Sequence, residues 1–394
     1  MSSQLSFLFL AGQYLTKSKL VTLIGIILTL VRPVFNQPLT LDQVFNPRVF
    51  IPCLEEVCYP EADIGCFPPW DLSRYFSLPF YSVCPEPPDN MGIQFYLLSR
   101  SSPTRLTQDL SRIKCGEKVA FVIHGYLSQS TDQLYLLPAV VLLKTFDHVI
   151  LVDWRYPADP VVAFGFPIPA ANFFVMHADV QVVGRVTANL IAKKLVIDKD
   201  SPCIDPDGIR VVGFSAGGNM LYFISTWLKE RYDITLGHLV GLDPSGPPFY
   251  FSSNFVDKQL KPGLAKAVDM VQCTFNFEIP LITELQALTL RFGSFNATGN
   301  TKYLVNLPYS YIEQPGCLGT PSCSHFYCLV IYTASLFPGC GFRYSPCNYL
   351  GTTTYLDAKT NLNSRVEGSK GLICIQASEN PLRDCTLSTL AGNT

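Results

Sequence analysis

Residues 209–217 read Ile-Arg-Val-Val-Gly-Phe-Ser-Ala-Gly, and this stretch decides the fold. Ile209–Phe214 is a short apolar run rich in β-branched residues, as a strand buried on both faces should be. Beyond Ala216, the residues Met220, Phe223, Ile224, Trp227 and Leu228 recur at helical spacing. A strand and a helix therefore meet at Ser215, inside Gly213-Phe214-Ser215-Ala216-Gly217. The G-x-S-x-G pentapeptide alone recurs by chance, and a Gly-rich turn with a capping serine is its plainest reading. In a strand–turn–helix it is a nucleophile elbow, which lifts the hydroxyl above the sheet and turns the next N–H into the site.

Outward from this turn the pattern repeats. Lys118–His124 (KVAFVIH), His148–Trp154 (HVILVDW) and Gly237–Leu242 (GHLVGL) are similar runs. Helical patterns fill the gaps, the longest over Ala171–Val196. Strands alternating with helices predict a mostly parallel central sheet covered by helices on both faces. Residues 50–90, rich in Pro and Cys, read as a bridged N-terminal flap. After about residue 250 the pattern is irregular, with Cys, Pro and Gly between short runs.

A serine hydroxyl needs a base to take its proton. In the chain order that goes with this elbow, serine, then acid, then histidine, the base follows both partners. Of the five histidines, His124 and His148 precede the serine beside strand runs, and His177 lies in a helical pattern. His238 sits inside a strand run, ahead of the better acid. His325, in Cys323-Ser324-His325, is left as the base. Between Ser215 and His325, Asp243 ends a strand run and opens Asp243-Pro244-Ser245-Gly246, at the sheet edge where catalytic groups collect. It would orient the imidazole and stabilise its charged form. Asp269, in Val268-Asp269-Met270, is the rival acid from a less well formed strand. An acyl-transfer oxyanion needs two donors. The N–H groups of Ala216 and of Tyr126, in His124-Gly125-Tyr126 after an earlier strand, are the candidates, with His124 supporting the loop.

Composition narrows the setting. The chain has 394 residues, 48% hydrophobic and 12% aromatic, enough to bury a large core, and only 15% charged, against roughly a quarter in average domains. A net charge of -2 carries none of the basic surplus of a nucleic-acid binder. Fourteen cysteines without paired C-x2-C spacing point to disulfides in an oxidising compartment rather than to zinc. Leu20–Leu30 (LVTLIGIILTL), preceded by Lys17 and Lys19, fits a signal-peptide core, so residues 1–36 read as a signal peptide or an uncut signal anchor. Residues 37–394 then form a single domain on the extracellular side. Asn296-Ala297-Thr298 is a glycosylation acceptor consistent with that side.

Together these motifs resemble the pancreatic lipase family of secreted serine esterases, in its insect-lipase and phospholipase A1 branch, over roughly residues 55–385. The resemblance runs through Glu56-Val57-Cys58-Tyr59, Gly65-Cys66-Phe67 and Pro69-Trp70. It continues in Phe121-Val122-Ile123-His124-Gly125-Tyr126, Val152-Asp153-Trp154 and the serine pentapeptide. It ends with Gly241-Leu242-Asp243-Pro244-Ser245-Gly246-Pro247, Gln314-Pro315-Gly316-Cys317 and Cys323-Ser324-His325. It implies an α/β-hydrolase fold, a Ser215–Asp243–His325 triad, Tyr126 and Ala216 as oxyanion donors, and disulfides Cys58–Cys66 and Cys317–Cys323. Asp243 one strand after the serine is a family trait, which favours it over Asp269. The chain departs at Phe214 and Ala216, where the family usually has His and Leu, and lacks an Arg shortly after the histidine. The family's lid lies between the last two of those cysteines. Here only Leu318–Ser322 separate them, a length that goes with phospholipase A1 activity more than with triacylglycerol lipases. Little chain follows Cys385, so neither the C-terminal β-sandwich of the pancreatic enzymes nor a colipase partner is expected.

The apolar stretch Phe275–Phe292 is either a second loop over the site that touches lipid or a core strand and helix. The expected activity is hydrolysis of lipid carboxylic esters at a membrane or lipid-droplet surface, with no metal or organic cofactor required. The alternative is a catalytically weak or inactive lipid-binding or storage protein, since some family members have lost the serine.

Overall fold

All four apolar runs are strands, and each buries both faces. In the computed structural model, the residues described are 55–71, 82–158, 169–197, 204–246, 255, 257–274, 293–294, 297–306, 314–317, 321–337, 342–345 and 371–381. The leader, Asn296, the stretch 275–292 and residues 318–320 lie outside them. The flap contributes two antiparallel pairs, β1 (Val57–Cys58) with β2 (Cys66–Phe67) and β3 (Trp70–Asp71) with β4 (Ser82–Val83). The Cys58–Cys66 disulfide closes the first pair.

Among the described residues, the main sheet holds ten strands. These are β5 (Gln94–Ser99), β6 (Ser102–Thr107), β7 (Val119–Ile123), β8 (His148–Asp153) and β9 (Ile209–Phe214). The others are β10 (His238–Leu242), β11 (Ala267–Gln272), β12 (Thr301–Val305), β13 (Arg343–Ser345) and β14 (Gly371–Gln376). Their order is β13-β14-β12-β11-β10-β9-β7-β8-β5-β6. From β14 to β8 every pairing is parallel; the two edges are antiparallel. The irregular pattern after residue 250 therefore conceals further parallel strands.

Period-two alternation divides the core between the two faces. On β7, Val119, Phe121 and Ile123 join one buried cluster, while Ala120 and Val122 join the other. The first cluster holds apolar side chains of α3 (Pro169–Leu190) and α4 (Ala216–Tyr232). The second holds those of α1 (Gln133–Leu142) and α5 (Pro321–Ser335). The short α2 (Arg155–Ala158) follows β8. The long helical pattern is α-helical to Leu190 and continues as a π-helix over Ile191–Val196. Arg185 of α3 fastens the flap: its guanidinium lies 4.4 Å from the ring centres of both Phe67 and Trp227 and donates to the Ile64 and Cys66 carbonyls. Among the described residues, no helix is long and apolar enough to cross a membrane.

The chain runs from β7 outward to β8, then returns to place β9 on the other side of β7. Such a reversal opens a crevice at the carboxyl ends of the two strands, where α/β proteins bind ligands. His124 follows β7 and Ser215 follows β9, so both lie at that crevice.

Candidate active site

Ser215 has φ 55° and ψ -122°, a strained backbone for a residue with a Cβ. The surroundings hold it there. Its N–H donates to the Leu242 carbonyl at 3.0 Å, and its own carbonyl accepts from Gly218, Asn219 and Ser245 N–H groups. Leu242 and Ser245 flank Asp243, so the serine is tied to the turn that carries the acid. Close packing explains the glycine before the elbow: a Cβ on Gly213 would come within 2.2 Å of the Gly217 carbonyl oxygen.

Asp243 is fully buried. Oδ1 accepts the N–H groups of Cys273 at 3.1 Å and Thr274 at 3.2 Å; Oδ2 accepts the Thr274 hydroxyl at 2.5 Å and His325 Nδ1 at 2.7 Å. Four donors thus converge on it, as on an acceptor-only carboxylate. His325 lies in the first turns of α5, beside the Cys317–Cys323 disulfide. The Phe214 ring, one residue before the serine, packs 4.5 Å from its imidazole.

The rival acid goes elsewhere. Asp269 Oδ2 meets His238 Nε2 at 2.8 Å, near the start of β10. His148 bonds Ser99 and Glu117, and His177 bonds the Ser245 hydroxyl.

The loop after β7 lies against the serine: a Cβ on Gly125 would stand 2.9 Å from the Cβ of Ser215. Its neighbours are pinned on either side of Tyr126. Gly125 N–H donates to the Tyr135 hydroxyl and Leu127 N–H to the Ala158 carbonyl. His124 props the loop from below. It is fully buried, and its Nε2 accepts Trp154 N–H at 3.1 Å. That leaves Nδ1 as the protonated nitrogen, donating to the Gly125 carbonyl at 3.0 Å. Burial pushes this imidazole down to about 4, so it is neutral and structural. Ala216 opens α4, where the first N–H groups have no helical carbonyl to bond.

Two expected disulfides, Cys58–Cys66 and Cys317–Cys323, are present. A third, Cys273–Cys328, joins residues that the sequence left unassigned. Cys374 is bridged as well, while Cys340, Cys347 and Cys385 lie outside the described residues. The cluster of ligating types at Glu56, Cys58 and Cys66 contains the two cysteines of one disulfide, so it is no metal site.

A switch-point crevice with a serine elbow and a buried acid–histidine pair defines an α/β-hydrolase. No family model matches the chain. Curated relatives do. It is 26% identical over 329 residues to pancreatic lipase-related protein 2 of Homo sapiens, covering 74% of this chain and 61% of that protein. It is 25% identical over 297 residues to phospholipase A1 2 of Vespa affinis, covering 72% of this chain and 80% of the other. Pancreatic triacylglycerol lipase of Homo sapiens is 24% identical over 323 residues, covering 74% and 62%. The chain thus spans less than two thirds of the pancreatic proteins it matches. Over most of its length the chain is similar to pancreatic lipases and a phospholipase A1, in line with the resemblance its motifs carry. Among solved structures, Est1E from Butyrivibrio proteoclasticus is 15% identical at a TM-score of 0.32, covering 63% of this chain and 93% of that one; so distant a likeness adds nothing to the architecture.

Proposed function

We propose that this protein hydrolyses carboxylic esters of lipids through an acyl-enzyme at Ser215. The observation that carries the reading is the His325–Asp243 hydrogen bond of 2.7 Å on a fully buried carboxylate whose turn is tied to the Ser215 backbone. In this reading His325 Nε2 takes the hydroxyl proton as Oγ attacks the ester carbonyl. The N–H groups of Ala216 and Tyr126 receive the oxyanion, and Asp243 stabilises the imidazolium. The proton passes to the leaving alcohol, and water then releases the fatty acid by the same steps in reverse order. Lipase and phospholipase A1 relatives support the substrate class, and the few residues between Cys317 and Cys323 favour a phospholipid. The protein is read as secreted, with its disulfides suited to an oxidising compartment, a leader over 1–36 and glycan at Asn296.

A fluorophosphonate probe, with fatty-acid release from phosphatidylcholine and from triolein, tests this. Labelling of wild type but not of Ser215→Ala is expected, with phosphatidylcholine the better substrate. An unlabelled wild type leaves a lipid-binding or storage role in its place. A clear triolein preference sinks the short-lid argument alone.

A further inference from the structure

Cys273 is the first residue beyond β11, and each of its arms reaches the acid or the base. Its N–H donates to Asp243 Oδ1 at 3.1 Å. Its sulfur is bonded to Cys328, three residues after His325 on α5. Its carbonyl accepts Gln314 Nε2 at 2.7 Å, and Gln314 N–H donates to the hydroxyl of Ser324, the neighbour of His325, at 2.7 Å. The Gln314 side chain is held in turn: Nε2 also reaches the Val305 carbonyl and Oε1 accepts Asn306 Nδ2. Cys273, Gln314, Ser324 and Cys328 are all buried.

We infer that Cys273 is a positioning residue for the His325–Asp243 pair, locking the turn that clamps the acid to the helix that carries the base. This rests on the hydrolase reading above. The two members of the pair stand 82 residues apart in sequence, and no strand pairing joins α5 to the acid's turn. β11 is held by its neighbours only as far as Gln272; beyond it the Cys273–Thr274 clamp needs its own anchor. The disulfide and the Gln314 amide supply two, one to each side of His325. A misplacement of about 1 Å between reacting groups can cost about a hundredfold in rate, so loosening this lock should act on turnover rather than on substrate binding.

The test uses p-nitrophenyl butyrate hydrolysis, with rates divided by the sites titrated with fluorophosphonate so that misfolded protein does not count. Cys273→Ala with Cys328→Ala should lower kcat by about tenfold to a hundredfold, with KM within about twofold of wild type. Cys273→Val with Cys328→Ala refills the volume without the bond and should stay impaired. Removing the remote disulfide, Cys58→Ala with Cys66→Ala, should lower Tm and leave kcat alone. Wild-type kcat in the double alanine variant, or full rescue by valine, overturns the proposal. Should the double variants not fold, Gln314→Met tests the carbonyl arm with the disulfide intact: lower kcat at unchanged KM supports the lock, and unchanged kcat overturns it. A wild type that is neither labelled nor active sinks the hydrolase reading, and this one with it; a labelled, active wild type matched by its variants sinks this one alone.

Discussion

Two histidine–aspartate pairs sit at the two ends of one strand. His238, the first residue of β10, meets Asp269 at 2.8 Å; Asp243, just past its last residue, meets His325 at 2.7 Å. Residue types and distances hardly differ, so the pairing itself says little about chemistry. The surroundings separate them. Asp269 lies within a strand, with its side chain 15% exposed, while Asp243 is fully buried and takes three further hydrogen bonds from Cys273 and Thr274. Only the second pair stands at the carboxyl edge of the sheet, tied to a serine with positive φ. What sets the second pair apart is its place, at the strand end beside the serine turn.

In the proposed mechanism, removing the Ser215 hydroxyl should have the largest effect. Ser215→Ala is expected to cost of order 10^6 in kcat, as for a serine nucleophile that acts with its base as a unit, and to abolish fluorophosphonate labelling. Next, Asp243→Asn should lower kcat about 10^4-fold by presenting the wrong partner to the imidazole. The matching change at the other end, Asp269→Asn, should leave kcat within about threefold and instead cost about 1 kcal/mol of stability through a weakened, part-buried hydrogen bond. Steady-state kinetics and urea unfolding on the two variants read both axes. A near-normal Asp243→Asn beside an inactive Asp269→Asn would reverse the assignment of the two pairs.

The same contrast shows how much could be read from the sequence. β7 to β10 were legible because strands buried on both faces are nearly continuous apolar runs. β12 and β14 were not: Lys302 interrupts the first, and exposed Gly371 and Gln376 end the second. β6 escaped because a half-exposed edge strand lacks such a run. The structure brings together the serine turn, Asp243 and His325, which chain order and elimination had singled out. What no local pattern carried is the support. Cys273 and Cys328 are 55 residues apart, and disulfide connectivity cannot be deduced from sequence. Gln314 stood in a recognised motif, but its contacts to Cys273 and Ser324 depend on three segments meeting.

A third buried histidine sharpens the comparison by having no carboxylate in hydrogen-bonding reach. His124 Nε2 lies 3.9 Å from Asp153 Oδ1, whose attraction, like the hydrogen bond to Gly125, only partly offsets burial, while Arg155 adds to the depression. The folded state thus holds this imidazole at about 4, against 6.5 when unfolded. The unfolded chain therefore binds the proton first. Stability from this group is whole above pH 6.5 and declines as pH falls toward 4, by about 1.4 kcal/mol per unit. His124→Gln removes the titration while leaving an acceptor for Trp154 N–H. Urea unfolding at about pH 8 and about pH 4.5 should show wild type losing roughly 2–3 kcal/mol more than the variant between the two. Parallel losses would mean that His124 is not held neutral, and that the loop under Tyr126 rests on another support.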